Sequence, residues 1–334
     1  MSDKPNLTMV VVIPAYRCAD QLRGVLDSIP TYINHIIVVD DASPDDIYSV
    51  VSGIDDSRLN YIRHTHNQGV GGAMLTGYNR ALELGATIII KMDGDGQMDP
   101  DFIPALITPI IKENADYTKG NRFLVLTDLR QMPKMRFFGN LGLTFLTKLA
   151  SGYWHIFDPN NGFTAIHHHC LNSLNKSNIH QRYFFESSLL IELYHQRAVV
   201  LDIPMPARYG DEKSSLSMVR TAFEFPYNLL KGFVKRVLWQ YYLYDFSAVS
   251  LFIIMGILLS GFGTLWGGYV WYVALVEGIP RSAGTVMLGV LPFILGFQLL
   301  LQALVLDIRN IPKVPLQQKK HIYSSEWLEK QRER

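Results

Sequence analysis

Apolar and polar positions follow two different rhythms along this 334-residue chain. Up to residue 100, short apolar runs alternate with amphipathic stretches. "MVVVIPAY", "HIIVVDDAS", "LNYIRH" and "ATIIIKMD" read as strands, because unbroken apolar runs of this length mark buried parallel strands. "ADQLRGVLDSI", "PDDIYSVVSGI" and "GVGGAMLTGYNRALELG" have helical spacing, the third with a glycine-rich start and a glycine stop. In the second, Ser43 is placed as N-cap and Asp46 stands in the capping-box position. This βαβαβαβ alternation predicts an α/β fold with an open parallel sheet and helices on both faces. Ligands bind such sheets at the carboxyl ends of the strands. Residues 101 to about 216 are mixed and less regular. From "SMVRTAFEFPYNLLKGFVKRVLWQYYLYD" on, helical spacing combines aromatic residues with Lys and Arg, the pattern of helices lying along a membrane surface.

The second rhythm is a near absence of polarity. Residues 246–276 and 285–306 carry no charge, and each reaches the roughly 20 apolar residues that a membrane-spanning helix needs. Soluble core helices this long almost always carry charges, so the expectation is a two-helix transmembrane hairpin. Trp266, Trp271 and Tyr272 lie towards one end of the first span, where interface aromatics belong. Lys231, Lys235 and Arg236 precede the hairpin, and Arg309, Lys313, Lys319 and Lys320 follow it; the connector "EGIPRSAG" has only Arg281. The positive-inside rule then predicts an integral protein of the plasma (inner) membrane with both flanks and the N-terminal domain cytoplasmic. "MSDKPNLTMVVVIP" lacks the long apolar core and cleavage site of a signal peptide, which fits a cytoplasmic start. The expected organisation is a globular domain over 1–216, juxtamembrane helices over 217–245, the hairpin over 246–306 and a cytoplasmic tail over 307–334.

Charge and cysteine content narrow the chemistry. A formal net charge of +1 makes nucleic acid an unexpected partner. Two cysteines are too few for a disulfide framework or a cysteine-based zinc site. The acids concentrate where strands end: Asp40 and Asp41 after the second, Asp93, Asp95 and Asp99 after the fourth. "DGDGQMDP" is compatible with a solvated turn. It is not an EF-hand loop, since Gln97 and Met98 replace the third ligand and the turn glycine, and Pro104 replaces the bidentate Glu. It is also compatible with a Mg²⁺ or Mn²⁺ site shared with a diphosphate, since such ions take one or two carboxylates plus phosphate oxygens. Gly94 between Asp93 and Asp95 lets both carboxylates turn to one ligand. "HHHC", residues 167 to 170, invites a zinc reading. Successive strand residues alternate faces, so three consecutive His cannot all meet one ion, and a structural role is expected.

"VVIPAYRCADQL", "VVDDASPDD", "RHTHNQGVGGAMLTGY" and "KMDGDGQMDP", in this order, resemble the family-2 glycosyltransferases with the GT-A nucleotide-sugar-binding fold. With the hairpin, the chain is similar to the polyprenyl-phosphate glycosyltransferases, the group of dolichol-phosphate mannose synthase and bactoprenol glucosyltransferase. The likeness covers about the first 215 residues, and the hairpin by architecture. It implies that Pro14, Ala15 and Tyr16 shape the loop under the nucleotide base. Cys18 stands where the family usually has an acid or Asn. Asp40 would bind base or ribose, with Asp41 and Ser43 supporting the loop, and Asn67 and Gly69 to Gly72 would let the helix start approach the nucleotide. Asp93 would face the ribose or the metal through water, Asp95 would ligate the metal, and Gln97 would be a further ligand. Arg122, Lys134 and Arg136 resemble the residues that hold the acceptor lipid's phosphate. "FDPNNGF" matches D-x-x-[SN]-G-F, so Asp158, Asn161 and Gly162 would line the sugar pocket. Glu186 stands near the catalytic base of many relatives. "ARYGDEKSSLS" resembles a mobile loop whose Arg208 and Lys213 would close over the phosphates.

The resemblance implies metal-dependent, inverting transfer of a sugar from a nucleotide-diphosphate sugar to an undecaprenyl or dolichyl phosphate. Relatives often associate through their spans, so a homo-oligomer is an expectation of the same kind. The acceptor phosphate is already anionic, so a strong general base is less necessary than for a hydroxyl. Two rival readings are a processive polysaccharide synthase and a non-catalytic membrane scaffold. The first usually carries Q-x-x-R-W, which the chain lacks; the second conflicts with the D-x-D and the basic cluster. UDP-glucose, GDP-mannose and UDP-N-acetyl sugars all stay open as donors.

Overall fold

The computed structural model describes residues 7–122, 134–206 and 218–323. The chain divides into two compact units, Met1–Phe233 with Pro312–Arg334, and Val234–Ile311. The first opens with β1 (Met9–Ala15), α1 (Ala19–Ser28), β2 (His35–Asp40), α2 (Ile47–Ser52), β3 (Leu59–Arg63), α3 (Val70–Glu83) and β4 (Ile88–Lys91), the predicted alternation. These strands pair in parallel, and their apolar centres, Val10 to Ile13, Ile36 to Val39 and Ile88 to Ile90, are almost entirely buried. Then follow α4 (Ile103–Ile111), β5 (Tyr117–Asn121), α5 (Lys134–Ser151), β6 (Thr164–His167), α6 (His168–Ser173), α7 (Phe185–His195) and β7 (Val200–Pro204).

The sheet has seven strands in the order β3-β2-β1-β4-β6-β5-β7. The four strands read from the sequence are parallel as expected, and the whole sheet is mixed because β6, which the sequence did not show, runs antiparallel to both β4 and β5. Thr164 at the start of β6 pairs with Lys91 at the end of β4. The loop carrying Asp158 to Gly162 therefore lies at the carboxyl edge, and the strand leaving it can only run back down the sheet. One correction concerns α2. Its N-cap is Asp46, which accepts a hydrogen bond from Ser49 N at 3.0 Å. Ser43 is drawn away to the β1 loop, where its Oγ accepts from Arg17 N at 2.7 Å.

The second unit contains the end of α8 (Met218–Leu238), a π-helical segment Trp239–Tyr244, α9 (Ala248–Glu277) and α10 (Ala283–Arg309). The last two, 30 and 27 residues with a mean hydropathy of 2.1 in their most apolar window, are long and apolar enough to cross a membrane. Only 22% and 17% of those windows is buried, so neither is an enclosed core helix. Glycines let the two backbones approach: a Cβ on Gly263 would sit 2.6 Å from Gly289 O. Arg236 is fully buried and bonds Asp307 through Nη1 at 2.7 Å and Nη2 at 3.0 Å, and Tyr241 OH donates to the same carboxylate at 2.6 Å. Arg236, one of the basic flank residues in the sequence, is thus neutralised inside the unit.

After α10 the chain rejoins the first unit through α11 (Leu316–Tyr323). Leu316 N donates to Asp116 Oδ1 at 2.8 Å, and Gln317 Nε2 donates to Ile110 O and Ala115 O at 3.0 and 3.1 Å. Burial pushes the Asp116 carboxyl above its ordinary value.

Breaking a buried ion pair strands its partner and costs about 3–5 kcal/mol, whereas replacing both charges with apolar groups is often neutral. Arg236→Met should therefore lower the thermal midpoint of the detergent-solubilised protein clearly, and adding Asp307→Leu should recover most of the loss in the same melting assay.

Candidate active site

A cleft of about 810 Å³ opens at the carboxyl ends of β1, β2 and β4, lined among others by Tyr16, Arg17, Asp41, Gly69, Asp93, Asp95, Arg182 and Glu186. Pro14 and Ala15 also border it, as the resemblance implies. The loops after β1 and β2 are laced together. Arg17 and Ala42 hold φ of 55° and 53°, a left-handed conformation that is strained for residues with a side chain. The Arg17–Ser43 bond, Ser43 N to Asp40 Oδ1 at 2.7 Å and Asp41 N to Ala15 O at 3.0 Å fix this conformation.

The paired acids after β2 are spent inside the protein. Asp40 is fully buried; its Oδ2 accepts from Tyr61 OH at 2.7 Å, with Arg63 Nε 3.4 Å away. Burial, and then the neighbouring carboxylate, push the Tyr61 phenol well above its ordinary value. Asp40 thus lies under the cleft, not on its wall. Asp41 organises the start of α3: its Oδ1 accepts from Gln68 N at 2.8 Å and its Oδ2 from Gly69 N at 2.7 Å. His64 Nδ1 lies 2.8 Å from the same carboxylate, and Asn67 Nδ2 donates to Asp41 O at 3.2 Å. Gly69 has φ of 88°, and a Cβ there would come within 2.7 Å of Gln181 O. Gly72 N bonds Gln181 O at 3.0 Å. The glycines therefore seat the helix start against residues 180–182, and Gly69 also borders the cleft.

The turn after β4 carries the remaining acids. Lys91, the last residue of the strand, is only 2% exposed and bridges two of them, with Nζ 2.7 Å from Asp93 Oδ1 and 3.4 Å from Glu186 Oε1. Burial disfavours its charge, but Asp93 and Glu186 outweigh burial and hold its pKa above the ordinary value. Sequence reasoning missed this residue, although a lysine closing the apolar run "ATIII" was the available signal. Asp95 Oδ1 accepts from Gln97 N at 3.0 Å, so it is the backbone of Gln97 that meets the acid. Cys18 is buried, and a Cβ on Gly94 would stand 2.8 Å from its Sγ. At this position, where the resemblance expects a polar residue, the chain supports the D-x-D turn from below.

The loop before β6 closes the site. A Cβ on Gly162 would meet Lys91 Nζ and stand 2.7 Å from Asp93 Oδ2, so a side chain there would displace the ends of that ion pair. Asp158, 3% exposed in its side chain, grips Arg122 with two bonds, Oδ2 to Nε at 2.8 Å and Oδ1 to Nη2 at 3.1 Å. Arg122 and Asp158, given separate roles by the resemblance, are joined. Asn161 O accepts from Lys119 Nζ, and Asn161 Oδ1 accepts from Phe163 N at 2.9 Å. Burial pushes the fully enclosed Lys119 down to about 8, against the pull of Asp158, Glu186 and Asp202. Arg182 was not foreseen; the loop leading into α7 sets it, exposed, on the cleft wall. Lys134 and Arg136 stand in the first turn of α5, and their side chains lie outside the described residues, as do Arg208 and Lys213.

The three histidines have the structural role expected of them, although they do not alternate as a strand would place them. β6 ends at His167 and α6 begins at His168, so strand alternation stops there and the rings gather with centroids 4.0–5.0 Å apart. Their hydrogen bonds are structural: His167 Nδ1 caps His169 N at 3.3 Å, and His168 Nδ1 lies 3.2 Å from Thr87 O. Among the described residues no group of three His, Cys, Asp or Glu side chains is set to hold a metal ion. The oxygen donors on Asp93 and Asp95 do fit Mg²⁺ or Mn²⁺, because those ions complete their shell with substrate phosphates and water.

A parallel sheet half joined to an antiparallel strand, with acids and a strained loop at its carboxyl edge, defines the nucleotide-sugar-binding architecture of GT-A glycosyltransferases. The sequence profile of glycosyl transferase family 2 matches residues 10–174. The UDP-N-acetylglucosamine--dolichyl-phosphate N-acetylglucosaminyltransferase of Methanococcus voltae is 30% identical over 246 residues, which cover 69% of this chain and 96% of that protein. The dolichol-phosphate mannosyltransferase of Pyrococcus furiosus is 25% identical, covering 83% of this chain and 75% of the other. The crystal structure of glucosyl-3-phosphoglycerate synthase from Mycobacterium tuberculosis, in complex with Mn²⁺, UDP and glucosyl-3-phosphoglycerate, shares the fold. Its TM-score is 0.52 at 19% identity, covering 69% of this chain and 80% of that one. The chain belongs to glycosyl transferase family 2.

Lys119 binds a proton less readily in the folded protein, about 8 against 10.5, so between those values the unfolded chain holds more protons and folding is favoured as pH rises. The stability of the protein relative to Lys119→Met should therefore increase between pH 7 and pH 10, read as the difference in urea midpoints.

Proposed function

We propose that this protein transfers a sugar from a nucleoside-diphosphate sugar to the phosphate of a polyprenyl lipid, at a membrane surface and with Mg²⁺ or Mn²⁺. The observation that carries the reading is the placement of Asp93 and Asp95 on the same cleft as the strained β1 loop and Arg182. The names of the relatives support a polyprenyl-phosphate acceptor. When bound, the metal stabilises the charge of the departing diphosphate.

The chain's own groups supply positioning. Tyr16 and Arg17 form the wall near the carboxyl end of β1, where the base and ribose are received. Asp93 and Asp95 would hold the diphosphate's cation. Arg182 adds positive charge for donor or acceptor phosphate, and a planar guanidinium can bond two oxygens at once. Glu186, largely enclosed beside Lys91, borders the cleft and would accept a bond from the sugar's hydroxyls. The anionic acceptor attacks the anomeric carbon from the side opposite the diphosphate, which inverts that carbon. Rate is gained from orientation and fixed charge, without proton removal from the nucleophile.

Membrane placement rests on the two long apolar helices. Both ends of the hairpin unit continue into the first unit, outward along α8 and back through α11. Two crossings leave both flanks on the side of the catalytic unit, and Lys231, Lys235, Arg309 and Lys313 make that side cytoplasmic.

The test is transfer of labelled sugar from UDP-N-acetylglucosamine, UDP-glucose or GDP-mannose into organic-extractable lipid, with undecaprenyl or dolichyl phosphate supplied. Lipid-linked monosaccharide is expected with one of these donors. Asp95→Ala should reduce it on the order of 100-fold or more while the protein stays folded in the membrane. Polymer product would assign a polysaccharide synthase, and no product with any donor a scaffold.

A further inference from the structure

The ion pair beneath the D-x-D turn has a consequence for the order in which ligands bind, and it rests on the function proposed above. An ammonium withdrawn from water is retained only where carboxylates compensate it. Lys91 meets this requirement with two of them, on two different elements: Asp93 in the turn after β4 and Glu186 in the first turn of α7. The bare Cα of Gly162 leaves the space that the pair occupies. Three carboxylates, those of Asp93, Asp95 and Glu186, border the cleft, and the Lys91 ammonium contacts two of them; the other buried ammonium nearby, Lys119, bonds Asn161 O instead. The three acids with Lys91 leave two net negative charges, which one divalent cation neutralises. Without the ammonium there would be three, a better trap for a lone cation and a worse seat for a diphosphate.

We propose that Lys91 is a positioning residue that makes the divalent cation bind together with the donor's diphosphate and not ahead of it. The ammonium lowers the attraction of the empty acids for a bare cation. It also lowers their repulsion of the incoming diphosphate. The metal therefore settles only when phosphate oxygens complete its shell. Arg17 and Arg182 line the same cleft and act in the same sense, but both are on its surface, whereas Lys91 touches the acids themselves.

The test uses the full chain in detergent, with Mn²⁺ and UDP as probes. Mn²⁺ binding is followed by the paramagnetic resonance of the free ion, and UDP binding in saturating Mn²⁺ by calorimetry. In Lys91→Met, Mn²⁺ alone should bind about tenfold tighter and UDP about tenfold weaker, the size expected for one unit charge a few ångströms away in a partly solvated site. Glu186→Gln removes a negative charge in place of the positive one and should move both affinities in the reverse directions. Lys91→Met with Glu186→Gln restores two net negative charges and should return Mn²⁺ affinity to within about twofold of the unmodified protein. These opposed signs separate the proposal from a structural role, which would weaken both ligands together. Joint weakening, or unchanged Mn²⁺ affinity, in Lys91→Met would overturn it. Should that variant not fold, Glu186→Gln decides, and failure of its Mn²⁺ affinity to drop overturns the proposal. If the unmodified protein binds neither UDP nor GDP with Mn²⁺, the functional reading itself falls.

Discussion

Carboxylates stand at the carboxyl edge of an apolar sheet in this protein, and each has lost part of its water. A buried charge is tolerated only when something compensates it. Asp40 is met by the Ser43 amide and the Tyr61 hydroxyl, Asp41 by two backbone amides, Asp93 by Lys91, and Asp158 by Arg122. The bonds of Asp40 to Tyr61, of Asp41 to the start of α3 and of Asp158 to Arg122 each join chain segments more than twenty residues apart. The cleft is thus held in shape by the same bonds that make its acids tolerable, and for the function proposed above a site whose charge is arranged in advance would need little rearrangement on binding.

Close backbone approach is the second requirement. Gly162 leaves room for the Lys91 pair, and Gly69 lets the start of α3 pass beside Gln181. The left-handed Arg17 and Ala42 carry strain that the bonds between the two loops sustain. Strain kept at the edge of a cleft, with the sheet rigid behind it, is consistent with a surface shaped for a ligand and not for stability alone.

The hairpin unit solves the same electrostatic problem in apolar surroundings. Arg236, Asp307 and Tyr241 tie the end of α8 to the last turn of α10. Glycines set the distance between α9 and α10. The chain on both sides of the hairpin unit belongs to the first unit, through α8 and through α11.

The order of β1 to β4 and their helices, the two long apolar helices, and the D-x-D turn could all be read from the residues themselves. Strand and helix periodicities, and runs long enough to span a bilayer, are properties of neighbouring positions. The direction of β6 was not legible, because pairing direction depends on where the preceding loop returns. Nor was the withdrawal of Asp40 beneath the cleft, which requires Tyr61 from another strand. The burial of Lys91 needed Glu186, some ninety residues away, and the vacancy left by Gly162. The gathering of three histidines depended on the strand stopping at His167, so that the next two lie in a helix. Local sequence determined which groups stand at the edge of the sheet; only the folded chain decided which charges meet there, since Coulomb energy and burial depend on distance in space.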